Sequence, residues 1–217
     1  MPIDCTASHA DAAATPRRTV ATGASIVEAI ANEGLAVVRN AIPQTLVRAV
    51  RDAGRQRDAE GEFHVAAVGR GAARTERSEL RGDRIRWLEP WDARPAETAL
   101  LAFVEALRVA VNEALYLGLF DFEGHYAFYP PGTRYARHLD RFRDDDARVL
   151  TLIVYLNDEW TDAHGGALRV ECGNGAPRDV CPEGGTLVAF LSDRFPHEVL
   201  PAARERLAFS GWFRRRA

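Results

Sequence analysis

From Gly124 onward the chain is broken at short, regular intervals. "HYAFYP", "TRYARHLD", "VLTLIVYLN", "GALRVE", "GTLVAFLSD", "HEVLP" and "RLAFSGWFRR" are runs rich in β-branched and aromatic residues, separated by Gly, Pro, Asn and Asp. Side chains of an extended segment alternate between two faces, and turn residues supply the reversals, so such runs predict strands. Seven or eight strands at this spacing argue for a sandwich or jelly roll, and no internal repeat runs through them.

The first half has a different period. "PAETALLAFVEALRVAVNEAL", residues 95 to 115, repeats apolar residues at three- and four-residue steps and predicts a helix lying along a sheet. "SIVEAIANEG" opens at Ser25 with Glu28 three residues on, a capping-box pattern, and stops at Gly34, predicting a short helix. "LAVVRNAI" then predicts a strand, and "PQTLVRAVRDAGRQ" a helix opened by Pro43. Residues 1 to 22 are small and polar without periodicity, the composition of a flexible tail. Between Ala59 and Arg86 periodicity fades, and "RGAARTERSELRGDRIR" sets six arginines against three acids, which reads as a surface loop, either solvated or binding. The expectation is an α+β fold, mainly β, in one domain over 23–217, with helical support at 23–120 and the β-rich core at 121–217.

At 217 residues and 47% hydrophobic, the chain is long enough to bury one good core. No stretch approaches the roughly 18 to 20 consecutive apolar residues of a membrane span, and no apolar block stands near the start, so a soluble, cytoplasmic protein without a membrane partner is expected. A net charge of −3 gives no basic face for nucleic acid, which excludes it as an expected partner. All 28 basic residues are arginine, a bias suggestive of a GC-rich bacterial genome. Cys5, Cys172 and Cys181 are odd in number and lack a CxxC spacing, favouring neither a disulfide framework nor a cysteine zinc site.

The chemistry concentrates in "RYARHLDRFRDDDARVLTLIVYLN", residues 134 to 157. His138 and Asp140 are two apart on a strand, so both side chains leave the same face and can share one ion. A third ligand is then required, and His197 in "SDRFPHEVLP" is the other histidine at a strand edge with a clear turn before it. Two imidazoles and one carboxylate leave three octahedral positions open, as in non-haem Fe(II) oxygenases. Zinc hydrolysis is the competing chemistry, although the HExxH helix that usually carries it is absent. Nine residues beyond His197, Arg206 begins the final apolar strand, where an always-charged guanidinium is costly unless it meets an anion. Its fork suits a carboxylate, so a dicarboxylate could chelate a metal at one end and be anchored here at the other. A plain salt bridge to Glu198 or Glu205 is the alternative.

With these residues in place the chain resembles the Fe(II)- and 2-oxoglutarate-dependent oxygenases, in particular the prolyl 4-hydroxylase branch that holds the hypoxia-sensing prolyl hydroxylases and their bacterial relatives. The resemblance covers roughly residues 80 to 213 and rests on "RGDRIRWLE", "YPPGTRYARHLD", "VLTLIVYLNDEW", "GGALRV", "FLSDRFPHEVLP" and "RLAFSGWF". It implies a double-stranded β-helix, jelly-roll or cupin-like core, with His138, Asp140 and His197 as iron ligands and Arg206 and Tyr155 on the distal carboxylate of 2-oxoglutarate. It also implies that Tyr129 lines the cosubstrate pocket, that Ser210 stands where relatives carry a threonine near that carboxylate, and that Trp212 packs beside the metal. Arg81, Arg84 and, more weakly, Arg148 become substrate contacts. The implied reaction couples decarboxylation of 2-oxoglutarate, with O2, to hydroxylation of a prolyl residue of a protein at its 4-position, with ascorbate as a possible support.

Bacterial members of this branch include enzymes acting on elongation factor Tu, which makes it the first substrate to consider for what is expected to be a monomer. The other readings are an oxygenase of a small molecule or free amino acid, and a jelly-roll domain that binds metal or ligand without turnover. "RFRDDDARV" departs from the family pattern, so relatives' substrate specificity is not transferred with it.

Overall fold

The computed structural model describes residues 16–67, 77, 79–141, 146–173 and 175–216. Eleven strands are present among them: β1 (Leu35–Val38), β2 (His64–Val65), β3 (Arg84–Leu88), β4 (Asp121–Tyr129), β5 (Tyr135–His138), β6 (Arg148–Tyr155), β7 (Leu168–Val170), β8 (Arg178–Val180), β9 (Leu187–Leu191), β10 (His197–Val199) and β11 (Arg206–Arg214). They form a seven-stranded sheet in the order β1-β9-β6-β11-β4-β3-β2 and a four-stranded sheet in the order β5-β10-β7-β8. Every strand pairing is antiparallel. This is the jelly-roll arrangement, with the broad sheet backed by helices α1 (Pro16–Glu33), α2 (Gln44–Ala59) and α3 (Pro95–Leu115).

The alternation of side chains along each long strand builds two cores from one sheet. Tyr126, Phe128, Leu150, Leu152, Val154, Phe209 and Phe213 pack with Ile26, Val47, Leu100, Val104 and Leu107 of the helices. The intervening Ala127, Tyr129, Ile153, Tyr155 and Ala208 turn the other way and meet Leu168, Val170 and Val199 of the smaller sheet. Each large apolar side chain taken fully out of water contributes about 1.5 to 3 kcal/mol, so both faces of the central strands are held.

A buried ion pair joins the helices to each other and to β3. Arg57 Nε and Nη2 donate to the two Glu97 carboxylate oxygens at 2.7 and 2.8 Å, while Arg57 Nη1 reaches Glu62 at 2.6 Å. Glu62 in turn accepts from Arg86 of β3 at 2.8 Å. Glu97 also accepts from the Arg94 backbone N–H at 2.6 Å, closing the first turn of α3, and from the Tyr126 hydroxyl at 3.0 Å.

Several sequence expectations are corrected. The first helix begins at Pro16 rather than Ser25, so residues 16–22 of the expected tail are helical in backbone; the pattern at Ser25 and Glu28 sits inside a helix that Pro16 opens. Residues 1–15 lie outside the described residues. The stretch read as helical support donates β2 and β3 to the broad sheet besides the expected strand β1. Strand β2 lies in, and β3 begins in, the stretch read as a loop: β2 has only two residues, and in β3 Arg84 and Arg86 mask the alternation, their partners including the remote Asp58 and Glu62. Much of the remaining arginine-rich stretch, 68–76 and 78, lies outside the described residues, as does 142–145 of the acidic turn. Among the described residues, no helix is long and apolar enough to cross a membrane.

Candidate active site

The smaller sheet brings two histidines face to face. Antiparallel pairing of β5 with β10 sets His138 directly opposite His197, with ring centroids 4.3 Å apart. In each ring Nδ1 lies against a carbonyl two residues earlier, Ala136 at 2.8 Å for His138 and Phe195 at 2.9 Å for His197. A carbonyl can only accept, so Nδ1 carries the proton and Nε2 keeps its lone pair. Both Nε2 atoms face Asp140, at 3.5 and 3.6 Å.

Thr151 of β6 donates to the second Asp140 oxygen at 2.8 Å, and the Ser192 hydroxyl stands 2.9 Å behind it. One ligand atom from each of His138, Asp140 and His197 lies within 4.8 Å of the others, the sole such cluster among the described residues. Burial opposes ionisation of Asp140, but His197, His138 and the Thr151 hydrogen bond outweigh it and hold the carboxyl far below the usual range. His197 is pulled down from its ordinary value by burial, against the attraction of Asp140.

The inner face of the broad sheet forms the floor opposite this cluster. Strand register sets Arg206 beside Tyr129, and Ala208 beside Ala127 and Tyr155. Arg206 is 2% exposed, its guanidinium 5.0 Å from the Tyr129 ring centroid and 5.1 Å from that of Tyr155. Its Nε donates to the Gly166 carbonyl at 3.0 Å. That approach requires glycine: Gly166 has φ +71°, and a Cβ there would meet Ala202 at 2.8 Å and Arg206 Cδ at 3.3 Å.

Neither carboxylate considered as a salt-bridge partner for Arg206 takes that part. Glu198 lies 3.9 Å from Arg169, and Glu205 is exposed to solvent. The Tyr155 hydroxyl is buried without a hydrogen-bond partner. Burial pushes it up to about 12, with Arg206 pulling the other way, so it remains a donor at neutral pH. Asn157 secures this corner, accepting the Leu207 N–H at 2.8 Å and donating to the Pro182 carbonyl at 2.7 Å.

Further along the same floor, register aligns Trp87, His125, Ser210 and Ile153 across four strands. Trp212 is buried and its indole N–H has no partner. Arg148 lies 3.4 Å above the Trp212 ring while bonding Glu123 at 2.8 Å. Arg81 reaches the pocket, pairing with buried Asp83 at 2.7 Å and standing 4.6 Å over the Tyr135 ring, which stacks on His138 at 3.7 Å. Arg84 points elsewhere, bonding Asp58 at 2.5 and 3.1 Å on the helical side. His138, Asp140, His197, Tyr129, Arg206, Ser210, Trp212 and Arg81 therefore line one pocket. Sequence reasoning passed over Thr151, Tyr135 and His125, which line it too; an isolated threonine, tyrosine or histidine within a strand carries no spacing that marks it.

Comparison with known proteins follows the same residues. The family model of the 2OG-Fe(II) oxygenase superfamily matches residues 124–214. A prolyl-4-hydroxylase from Pseudomonas putida superimposes with a TM-score of 0.82 at 46% identity, covering 90% of this chain and 100% of that one. The chain belongs to the 2OG-Fe(II) oxygenase superfamily. A prolyl hydroxylase from Trichoplax adhaerens, solved with a peptide of hypoxia inducible factor, superimposes on this oxygenase with a TM-score of 0.81 at 26% identity over 91% of each chain. Human Egl nine homolog 1 is 36% identical over 145 residues, 62% of this chain and 33% of that protein. The oxygenase spans 20% to 59% of the length of the curated relatives it matches.

The family's Fe(II), 2-oxoglutarate and O2 fit the residues present. Two imidazole nitrogens and a carboxylate converge with their lone pairs inward, and the buried Arg206 guanidinium lines the same pocket; Tyr155 stands behind that guanidinium and does not itself line the pocket.

Proposed function

We propose that this oxygenase hydroxylates a prolyl residue of a protein at its 4-position, coupled to decarboxylation of 2-oxoglutarate to succinate and CO2. The observation that carries the reading is the coexistence, in one pocket, of the His138, Asp140 and His197 cluster with a buried arginine that has no carboxylate partner among the described residues. Likeness over nearly the whole chain to a prolyl-4-hydroxylase supports the choice of proline.

In this reading His138, Asp140 and His197 hold Fe(II). With 2-oxoglutarate and O2, the metal supplies the oxidant that an unactivated carbon requires. The chain's own part is placement. Arg206 takes the distal carboxylate of the cosubstrate in its fork, and the Tyr155 hydroxyl donates to the same group, giving its buried Oη a partner. Tyr129 closes one side of the guanidinium, Ser210 adds a hydroxyl on the floor, and Trp212 with Ile153, Leu168 and Val199 keeps the pocket dry.

Of the three arginines considered for substrate contact, Arg81 stands in the pocket beside Tyr135 and is the one we assign. Arg81 is itself paired with Asp83, and what sets it apart is position: Arg84 turns to Asp58 on the helical side and Arg148 to Glu123, and neither lines the pocket.

Elongation factor Tu is the protein substrate we would test first, on the resemblance to bacterial enzymes of this branch, with the oxygenase acting as a cytoplasmic monomer and ascorbate sustaining turnover. Cys172 and Cys181, both unpaired, accord with a reducing compartment. Incubation with Fe(II), 2-oxoglutarate, O2 and elongation factor Tu is expected to yield succinate in step with one added oxygen on one proline by peptide mass spectrometry. Succinate formed with free amino acids and with no protein in a lysate would overturn the protein-substrate reading.

A further inference from the structure

His125 is the polar group in the pocket to which the proposed reaction gives no task. It is 2% exposed, and its Nδ1 has no hydrogen-bond partner. The ring packs against two indoles, 4.8 Å from Trp87 and stacked at 5.4 Å on Trp212, which themselves touch at 6.3 Å. Burial, with the Arg81 and Arg148 charges nearby, keeps the imidazole neutral, and a neutral imidazole always carries one N–H and one bare nitrogen. A buried polar atom left unmatched is costly, and in a ligand pocket that cost is relieved by what binds there.

Register says which part of a ligand lies nearest. His125 shares its row with Ser210, four residues along β11 from Arg206. Thr151, which holds Asp140, lies opposite Trp212, two residues further on. His125 thus lies toward the Thr151 and Asp140 side of the floor, away from Arg206. A dicarboxylate anchored on Arg206 presents its second carboxylate, next to the 2-oxo group, at this end.

Resting on the function proposed above, we infer that His125 is a positioning residue that hydrogen-bonds the metal-end carboxylate of 2-oxoglutarate, fixing how the cosubstrate lies on the metal. Between them, Arg206 and His125 would then read both ends of a five-carbon dicarboxylate. A keto acid lacking either end would be held by only one.

The test is binding, without oxygen, on protein loaded with Mn(II). Calorimetric titration of 2-oxoglutarate is expected to show affinity reduced about 10-fold in His125→Met and largely restored in His125→Asn, whose side-chain amide can replace one ring nitrogen. Mn(II) affinity is expected to be the same in all three proteins. Equal 2-oxoglutarate affinity in wild type and His125→Met overturns the inference, as does His125→Asn binding as weakly as His125→Met. A raised KM for elongation factor Tu, with 2-oxoglutarate affinity unchanged, would overturn it too, by making His125 a substrate contact.

Wild type failing to bind 2-oxoglutarate at all would sink the cosubstrate reading itself, an outcome distinct from the others. Should His125→Met not fold, histidine-selective 15N NMR of the wild-type Zn(II) protein, assigned with His125→Asn, probes the same contact. The His125 ring resonances must move on addition of 2-oxoglutarate and hold still with Zn(II) alone. If 2-oxoglutarate leaves them unmoved, the inference is wrong.

Discussion

Thr151 touches no ligand in the proposed chemistry, yet its hydroxyl aims Asp140 by occupying one carboxylate oxygen. Groups in this position commonly govern 10- to 100-fold in metal affinity or activity. Thr151→Val is expected to weaken Fe(II) or Mn(II) binding by about that factor with little change in thermal stability, and Thr151→Ser to recover it, both by metal titration. Arg206→Ala should separate the two halves of the site. The 2-oxoglutarate requirement should rise about 100-fold, the worth of a charge-assisted bidentate pair, while metal affinity stays within about twofold. An equal loss of both would make Arg206 structural.

At this scale the sequence was legible where chemistry imposes spacing or cost. His138 and Asp140 were placed together by the two-residue period of a strand, and Arg206 stood out as a charge where an apolar strand should begin. His125 stayed hidden because its meaning comes from Trp87 and Trp212, which strand pairing brings to it.

Among the elements, the α2–α3 pair depends on a charge taken out of water. Glu97 is buried and, although desolvation pushes its pKa up, bonds from Arg57, the Arg94 backbone and Tyr126 bring it below the ordinary value. A depressed carboxyl contributes stability that is complete above its unfolded pKa, about 4.3, and is lost as pH falls through the folded one. Stability is therefore expected to decline below about pH 4, with Glu97→Gln flattening part of that acid limb in urea titrations. The same substitution should cost about 3 to 5 kcal/mol at neutral pH, because it leaves Arg57 buried and underpaired. Legibility at this scale followed amphipathicity. Helix α3 and strands β6, β9 and β11 declare themselves by apolar period, whereas β3 does not, since Arg84 and Arg86 interrupt it and their acids include two that lie 26 and 24 residues away.

For the whole molecule, the two-sheet form was readable from turn spacing, and what the spacing left out was which strands neighbour which. A site shared between sheets couples ligand occupancy to global stability. Mn(II) with 2-oxoglutarate at about 100 times the dissociation constant should add about 2.7 kcal/mol and raise the melting temperature by several degrees. Arg206→Ala should lose most of the 2-oxoglutarate share of that rise, and differential scanning fluorimetry would show it.

The place of β11 carries a consequence for biosynthesis. It is the last strand in chain order and also the middle one of the seven, zipped between β6 and β4. Until residues 206 to 214 are made, β6 and β4 each lack the neighbour that joins them in the finished sheet. Unpaired edges of this kind recruit other chains. A polypeptide halted before Arg206 should be found in the pellet and in the company of chaperones, and the arrival of the same nine residues both closes the sheet and brings Arg206 to the pocket.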